Sequence, residues 1–280
     1  MRDKIAIVAS GGGMSCSYAA GAMSALANFW RFTDPDFAIT GSGSAGTFAY
    51  YISGQYQEIT NVWGGLLSSK KFINKFRFWK LINIDYLVDE IFHKNNLLDT
   101  RAVAASGTEF LISAINYRTS DLTYFSNKDG KEPDDIFELL RASKAMPIAF
   151  NKKIGIDGEK YCDSYLSSDS KAHIRKAVEL GAKNIIAINN RIHRRANERL
   201  FRLWLKHQSR FFQENYIRQV NELEDYKIPD NVNVIKIVPT SKLKISTFNS
   251  NKAQLAETIQ MGHDDAVNSK ELAELFGSLQ

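Results

Sequence analysis

Two short apolar segments, each ending in glycines and each followed by a helix-like pattern, dominate the start of this 280-residue chain. Ile5–Ser10 is partly β-branched, and Ala, Met and Leu recur at helical spacing over Tyr18–Phe29. Phe37–Thr40 is the second apolar segment, and Ala45–Tyr51 is the helix-like stretch after it. Central strands of parallel sheets are continuous apolar runs of this kind, and a helix usually connects one to the next. The two units therefore predict an α/β fold with right-handed crossovers.

The rest of the sequence continues to alternate between strands and helices. Strands are predicted at Phe110–Tyr117, Leu122–Phe125, Asn184–Asn189 and Val232–Val238, with a hairpin over Ile154–Cys162 around an Asp157-Gly158 turn. Helices are predicted at Ile84–Phe92, Asp134–Ala145, Ala172–Leu180 and, as one long polar helix, Arg191–Tyr226, with two more near the C-terminus. Because no repeat or linker interrupts this pattern, we expect a single domain over residues 1–280, with a core of about 5–190 and an extension over 191–280.

The composition excludes several classes of function. With 44% hydrophobic and 24% charged residues, the chain has the composition of an ordinary globular protein. Its net charge of +5 is mild and no nucleic-acid-binding motif accompanies it, so we expect no nucleic-acid partner. Cys16 and Cys162 are the two cysteines, which excludes a disulfide framework and a metal-binding cysteine cluster. The five histidines show no metal-ligand spacing, and we expect neither a metal nor a cofactor.

The N-terminal residues lack the pattern of a targeting segment. Ile5–Ser10 follows Arg2 and Lys4, but this apolar run is too short for a signal peptide and leads directly into glycines. No stretch approaches the roughly 18 uncharged apolar residues of a membrane-spanning helix. We therefore expect a cytoplasmic protein, either free or in peripheral contact with a membrane.

The glycine triplet Gly11-Gly12-Gly13, together with Met14, is the first candidate functional element. Glycines between a strand and a helix leave backbone N–H groups directed into open space, where a developing oxyanion can bind. A tight turn without a chemical role explains the triplet equally well. A dinucleotide fingerprint counted from Gly11 requires glycine where Cys16 stands, and the Gly-Lys-Ser/Thr of a P-loop is absent from the sequence.

The run Gly41–Gly46 (GSGSAG) is a candidate nucleophile elbow. Such an elbow needs a serine on a strained strand-to-helix turn, with small residues two positions to either side. Ser44 has Gly46 at +2 and Ser42 at −2, whereas Ser42 has Thr40 at −2. This spacing predicts Ser44 as the nucleophile, and a helix N-cap serine in a glycine-rich turn is the alternative.

Asp163 is the candidate base, because it ends a short strand just after the predicted hairpin. An aspartate before a serine also commonly caps a loop, which is the alternative role. Gly11 and Ser44 are 33 residues apart, and each follows one of two consecutive predicted strands. Loops at the carboxyl ends of adjacent parallel strands face one crevice, so we expect the glycine loop and Ser44 to be neighbours.

From Ile5 to about Asp265, the order of these segments resembles the patatin-like phospholipase family. That order is a glycine triplet, a serine elbow within the first 50 residues and a strand-end aspartate some 120 residues later. Arg141–Phe150 (RASKAMPIAF) is similar to the family's Ala-Ser-x-Ala-x-Pro-x-x-Phe stretch. Further points of similarity are Ala177–Ala182, Val238-Pro239 and Met261-Gly262-His263.

The resemblance implies a three-layer α/β/α sandwich with a mostly parallel central sheet. It also implies that the protein cleaves lipid or other carboxylic esters through a Ser–Asp dyad and an acyl-enzyme, without a catalytic histidine. Carried over to this sequence, it makes Ser44 the nucleophile, Asp163 the base, and Gly11, Gly12, Gly13 and Met14 the oxyanion hole.

The sequence departs from the family pattern at three positions. Ser15 replaces the basic residue that often follows the glycine loop, Ser42 replaces the first glycine of the elbow, and Ser164 replaces the glycine after the acid. None of these changes removes a reacting group. They are compatible with a slow or substrate-restricted enzyme and with a catalytically degenerate protein that binds lipid or membrane.

A Ser–His–Asp esterase of the α/β-hydrolase fold is the alternative among enzymes. Its histidine must follow the acid, as His173, His193, His207 and His263 all do. The elbow here comes after the second predicted strand, however, and that fold has several strands before its nucleophile.

Two segments carry the basic and aromatic pattern of a surface that contacts an anionic membrane. Lys70–Lys80 interleaves five basic residues with four aromatic ones. Arg191–Phe212 carries seven Arg or Lys residues and an apolar stripe that includes Leu200, Leu203, Trp204 and Phe211. A helix packed on the core with a solvated basic face is the alternative for such a pattern.

Overall fold

A computed structural model gives the fold and describes residues 2–77, 80–150, 152–163, 166, 169–190 and 198–277. Its sheet consists of β1 Ile5–Ala9, β2 Phe37–Gly41, β3 Glu109–Asn116, β4 Leu122–Ser126, β5 Ile154–Ile156, β6 Glu159–Cys162, β7 Asn184–Ile188 and β8 Asn233–Ile237. The α-helices of the described residues are α1 Ser17–Asn28, α2 Ser44–Ile52, α3 Tyr56–Gly64, α4 Thr100–Ala105, α5 Asp135–Lys144, α6 Ser170–Glu179, α7 Glu198–Lys206, α8 Arg210–Asp225, α9 Lys252–Val267 and α10 Lys270–Gly277. Short 3-10 turns lie at Gly13–Cys16 and Leu66–Ser68, and a π-helix spans Tyr86–Asn95.

The central sheet is mostly parallel. Strands β8, β7, β1, β2 and β3 lie side by side in that order and all pair in parallel. β4 and β6 pair antiparallel with β3, and β5 completes the predicted hairpin with β6. The crossovers between the parallel strands place the helices on the two faces of the sheet.

Alternate residues of β1 belong to the two cores, one on each face of the sheet. Ile5, Ile7 and Ala9 join the larger core, which includes the buried residues of α1 and α2. Ala6 and Val8 join the smaller core with Ile174 and Ala177 of α6. The predicted three-layer α/β/α sandwich is therefore confirmed.

The strand ends of β2 and β6 approach each other along one edge of β3. β4 occupies the opposite edge, where it pairs with Leu111–Ile115. β2 runs parallel to β3 and its last pair joins Gly41 to Ser113. β6 runs antiparallel to β3 and reaches Ile115 with its last residue, Cys162. The two strands thus meet end to end.

The residues that follow these two strands meet at one point of the sheet. If each register is extended by one residue, Ser42 and Asp163 both lie opposite Ala114 of β3. This arrangement brings together two residues that are 121 positions apart in the sequence.

Most predicted elements are confirmed within a residue or two, and the long helix predicted at Arg191–Tyr226 is wrong. Within its described residues it is two helices, α7 and α8, because Ser209 starts the second one: its hydroxyl accepts the Phe212 N–H at 3.2 Å and caps the new N-terminus. Residues 191–197 lie outside the described residues. The helix expected at Ile84–Phe92 is the π-helix, and α3 and α4 were not predicted.

Helix α9, near the C-terminus, packs against α1 at unusually short range. A Cβ added to Gly21 of α1 would lie 1.9 Å from the Ile259 carbonyl oxygen, and one added to Gly262 of α9 would lie 2.0 Å from the Tyr18 carbonyl oxygen. Tyr18 also donates a hydrogen bond to Asp265 at 2.8 Å. Both glycines are therefore required for the two backbones to touch.

Among the described residues, no helix has both the length and the apolar character needed to cross a bilayer.

Candidate active site

Ser42 occupies a sharp turn between β2 and α2. Its φ of +54° lies in the left-handed region, which is uncommon for a residue with a side chain and marks a strained position. The Ser42 N–H donates to Ser143 Oγ at 2.8 Å, which holds the turn in place. A serine on a strained strand-to-helix turn is the defining geometry of a nucleophile elbow.

The Ser42 hydroxyl faces the predicted base. Ser42 Oγ donates a hydrogen bond to Asp163 Oδ2 at 2.7 Å, and both residues are 6% exposed. The Asp163 N–H in turn donates to the Ala145 carbonyl at 3.0 Å. The end of α5 therefore fixes both partners, Ser42 through Ser143 and Asp163 through Ala145.

Ser44, the predicted nucleophile, does not face Asp163. Its side chain is fully buried, and its hydroxyl donates to the Ser10 carbonyl at 2.8 Å and accepts from Asn190 Nδ2 at 3.0 Å. The structure does not bring the expected Ser44–Asp163 pair together, and Ser42 is the serine whose hydroxyl contacts Asp163. The physical reason is that Ser44 is already the first residue of α2 and its hydroxyl contacts Ser10, just after β1, whereas Ser42 still belongs to the turn.

The glycine loop and the elbow are neighbours, as the sequence predicts. Gly43 approaches the loop so closely that a Cβ on it would lie 2.7 Å from the Gly13 carbonyl oxygen. Gly13, with φ of +59°, lies at the start of a 3-10 turn and Gly43 at the N-cap of α2. Backbone N–H groups at such positions have no acceptor within their own helix.

The four residues predicted for the oxyanion hole have different placements. Gly13 and Met14 line a pocket together with Ser42 and Asp163, and Gly11 and Gly12 are not among its lining residues. The Met14 N–H donates to the Thr247 carbonyl at 3.2 Å, so this amide is already engaged. Gly43, which was not predicted, lines the pocket beside the serine.

The pocket is lined almost entirely by apolar side chains. Aromatic and aliphatic residues of α2, α3, the π-helix and the segment between the last two form its wall: Tyr50, Ile59, Val62, Trp63, Leu67, Phe72, Ile73, Ile82, Ile84, Leu87 and Phe92. Such a lining suits a long hydrocarbon group rather than a polar ligand. Thr247, from the C-terminal part of the chain, closes the pocket above the glycine loop.

Lys144 is a charged residue in this apolar pocket that the sequence patterns do not single out. It is the last residue of α5, directly after Ser143, and is 6% exposed. Burial lowers the pKa of Lys144 to about 7, and the nearby Asp163 and Cys16 oppose that shift by a smaller amount. The only sequence signal for it is a lysine at a variable position within the small-residue stretch Ala142–Ala145.

None of the described histidines lines the pocket. His173 is fully buried beside Tyr124, with its Nδ1 3.0 Å from the phenol oxygen. His207 lies 2.7 Å from the Leu203 carbonyl and His263 lies 3.2 Å from the Asp264 carboxylate, both at exposed positions. His193 lies outside the described residues. Within those residues, no group of three or more His, Cys, Asp or Glu side chains is arranged to hold a metal ion.

A family model described as patatin-like phospholipase matches residues 7–176, which is more than half of the chain. The chain belongs to the patatin-like phospholipase family. Family membership supports lipid acyl hydrolase activity in general and a lipid as substrate. Among curated proteins, none matches the sequence significantly.

Solved structures with the patatin-like fold resemble the chain at low sequence identity. VipD from Legionella pneumophila has a TM-score of 0.57 at 12% identity, over 99% of this chain and 67% of VipD. Human GIVD cytosolic phospholipase A2, solved with a methyl gamma-linolenyl fluorophosphonate inhibitor, has a TM-score of 0.54 at 10% identity, over 99% of this chain and 59% of that protein. The chain thus spans only part of each relative, and the likeness establishes the fold.

Two of the three departures from the patatin-like pattern have a structural account. Ser15 Oγ donates to the Gly12 carbonyl at 2.7 Å and so closes the glycine loop on itself. Ser42, at the place of the usual glycine, is the serine that faces Asp163. Ser164 lies outside the described residues.

Proposed function

We propose that this protein is a serine lipid acyl hydrolase that cleaves carboxylic esters through a Ser42–Asp163 dyad and an acyl-enzyme. The observation that carries this proposal is the 2.7 Å hydrogen bond from Ser42 Oγ to Asp163, made by a serine in a strained elbow. A nucleophile within hydrogen-bond reach of its base is the geometric requirement for this chemistry.

The first half of the proposed reaction acylates the serine. Ser42 Oγ attacks the ester carbonyl while its proton passes to Asp163. The negative charge that develops on the carbonyl oxygen is stabilised by the N–H groups of Gly13 and Gly43 and by the N-terminus of α2. The alcohol then leaves with the proton from Asp163, and the acyl group remains on Ser42.

The second half releases the fatty acid. A water molecule gives a proton to Asp163 and attacks the acyl carbonyl, and Ser42 recovers the proton as its bond to the acyl group breaks. The apolar pocket holds the acyl chain throughout, and its hydrophobic wall keeps bulk water away from the buried carboxylate.

Labelling with a fluorophosphonate tests the dyad directly, since such a compound is the inhibitor in the human phospholipase structure. The wild-type protein should be labelled and should turn over a nitrophenyl ester. Ser42→Ala should abolish labelling and reduce kcat by at least about 10³-fold, and Asp163→Asn should reduce kcat about as far, because the two act as a unit.

Ser44→Ala is the matched control for that experiment, because it removes the same hydroxyl two positions away. It should keep labelling and retain kcat within about tenfold of wild type. Labelling that survives in Ser42→Ala and is lost in Ser44→Ala would refute the proposed dyad. An unlabelled, inactive wild-type protein would favour the degenerate lipid-binding alternative, and an equally inactive histidine variant would favour a triad.

We further propose that the protein contacts an anionic membrane through the first of the two predicted surfaces, Lys70–Lys80. Phe78 and Trp79 lie outside the described residues, so the support comes from residues 70–77. Phe72 and Ile73 of this segment line the pocket, while Phe76 is 86% exposed and shares the segment with the exposed Lys71 and Lys75. An exposed aromatic side chain among cations is suited to a negatively charged interface. The second surface is less favoured, because its described apolar residues include the buried Phe201 and Phe212 and none of them lines the pocket.

A further inference from the structure

Lys144 lies in the pocket of the proposed dyad and yet has no assigned role. Its immediate neighbours, Ser143 and Ala145, accept the hydrogen bonds that position Ser42 and Asp163. Lys144 lines the same pocket as that dyad, and it is the one basic side chain among the lining residues that the structure describes.

Among the residues that the structure describes, no contact neutralises the positive charge of Lys144. Its Nζ is buried and has no hydrogen-bond partner among the described residues, and no carboxylate there lies within ion-pair distance of it. Arg141, one turn earlier on the same helix, makes a useful contrast. Arg141 contacts Asp85 at 2.8 Å, Asp89 at 2.5 Å and Glu138 at 2.9 Å.

A buried, unpaired ammonium group is costly, so its retention calls for a partner that arrives with the substrate. The ionisable groups that face Lys144 are Asp163, which follows β6, and Cys16, from the glycine-loop turn. The carboxylates of Asp85 and Asp89, near and within the π-helix, are already paired with Arg141. Asp163 is engaged by Ser42, and no other anion is available in the pocket among the described residues.

We propose that Lys144 binds a phosphate group of the substrate, so that the enzyme prefers phosphate-bearing acyl esters to neutral ones of the same chain length. The inference rests on the proposed hydrolase function. An acyl chain in the apolar pocket and a phosphate at Lys144 place the ester between them, at Ser42. Lys144 is then a specificity-determining residue in addition to the dyad.

The test compares phosphatidylglycerol with diacylglycerol of identical acyl chains, both presented in micelles of a neutral detergent. A contact with a charged group changes affinity by about 10–100-fold. We expect wild type to favour the phosphate-bearing lipid by at least about tenfold in kcat/KM, and Lys144→Met to lose that preference. Lys144→Arg should restore most of it, and the exposed Lys252→Met is the matched control that should not change it.

The pH profile provides a readout that a merely structural role would not change. The phosphodiester keeps its charge between about pH 5 and 9, whereas the Lys144 ammonium, with a pKa of about 7, loses its proton across that range. The preference of the wild-type protein should therefore fall as pH rises through 7. In Lys144→Arg it should persist, because a guanidinium stays charged.

Binding without catalysis separates this inference from the proposed function. Hexadecyl phosphate has no carboxylic ester, and its binding can be followed by calorimetry and by tryptophan fluorescence, to which Trp63 of the pocket contributes. The Ser42→Ala protein should bind it at least about tenfold more tightly than Ser42→Ala/Lys144→Met does, and hexadecanol equally in both. Equal binding of hexadecyl phosphate, or an equal loss of kcat on both lipids in Lys144→Met, would overturn the assignment. Inactivity of wild type on all esters would instead contradict the proposed function.

Discussion

At the scale of single residues, Lys144 carries a cost to stability that can be measured. Its folded-state pKa of about 7 lies below the ordinary lysine value of 10.5, so between these values the unfolded chain binds more protons than the folded one. The destabilisation is therefore complete below about pH 7 and is relieved as pH rises toward 10.5. Groups kept at such a cost are characteristic of functional sites.

Lys144→Met should consequently raise the free energy of unfolding, because methionine fills a similar volume without a charge. Replacing a buried charge by an apolar residue of similar size gains about 1–4 kcal/mol in the most favourable cases. We expect a gain of that order at pH 6 that shrinks toward zero near pH 10, measured by urea unfolding at both values. Lys252→Met serves as the surface control, and a gain that is independent of pH would show that the buried ammonium charge is not its cause.

The residues of the site were predictable only in part. Asp163 and the glycine loop follow from strand ends and glycine runs, which are local patterns. Which serine contacts Asp163 depends on where the turn ends and α2 begins. The spacing of small residues does not determine that boundary. Ser44 bonds to Asn190, which lies 146 residues away, and only the folded chain reveals that contact.

At the scale of elements, the crossing of α1 and α9 depends on two glycines. Gly21 is in contact with the backbone of α9, and a methyl group there would overlap the Ile259 carbonyl, which belongs to a helix and cannot move alone. Overpacking of this kind typically costs about 1–3 kcal/mol or more, because the helices must separate.

Gly21→Ala should therefore destabilise the protein by at least about 2 kcal/mol, even though alanine favours helices. Gly64→Ala is the matched control, since it also lies in a helix but has nothing within 4 Å of the added Cβ. Its stability should be unchanged or rise by up to about 1 kcal/mol. The measurement is the melting temperature of both variants in thermal unfolding. Equal melting temperatures would contradict the close crossing of α1 and α9.

The elements themselves were largely predictable because apolar periodicity is a local property. The parallel strands and the β5–β6 hairpin appear in the sequence as apolar runs and a turn signal, and the structure has them. The break between α7 and α8 depends on one capping serine, Ser209, within a continuously polar and helix-favouring stretch. α3 consists largely of polar and aromatic residues, and its buried side chains Ile59, Val62 and Trp63 do not form a long apolar pattern in the sequence.

At the scale of the whole molecule, the pocket adjoins the basic segment 70–77. The segment contributes Phe72 and Ile73 to the pocket wall and presents Lys70, Lys71, Lys75 and Phe76 outward. A lipid drawn from a bilayer at this surface would thus have a short apolar path to Ser42.

Phe76→Ser should reduce co-sedimentation with vesicles that contain phosphatidylglycerol, because it removes the exposed ring that enters the interface. We expect about a fivefold loss of vesicle binding, greater than any change in turnover of a soluble nitrophenyl ester. Phe211→Ser, at the exposed ring of the second candidate surface, is the control. If Phe211→Ser reduced vesicle binding more than Phe76→Ser does, the membrane contact would lie on α7 and α8 instead.

The end-to-end meeting of β2 and β6 also determines when during synthesis Ser42 and Asp163 come together. Ser42 is made early, but Asp163 follows 121 residues later and reaches its place only when the β5–β6 hairpin has docked on β3. A slip of one residue in that docking would turn the Asp163 side chain to the other face of the sheet. Under the proposed chemistry, a nascent or misfolded chain therefore carries its serine without its base and cleaves no ester until the sheet is in register.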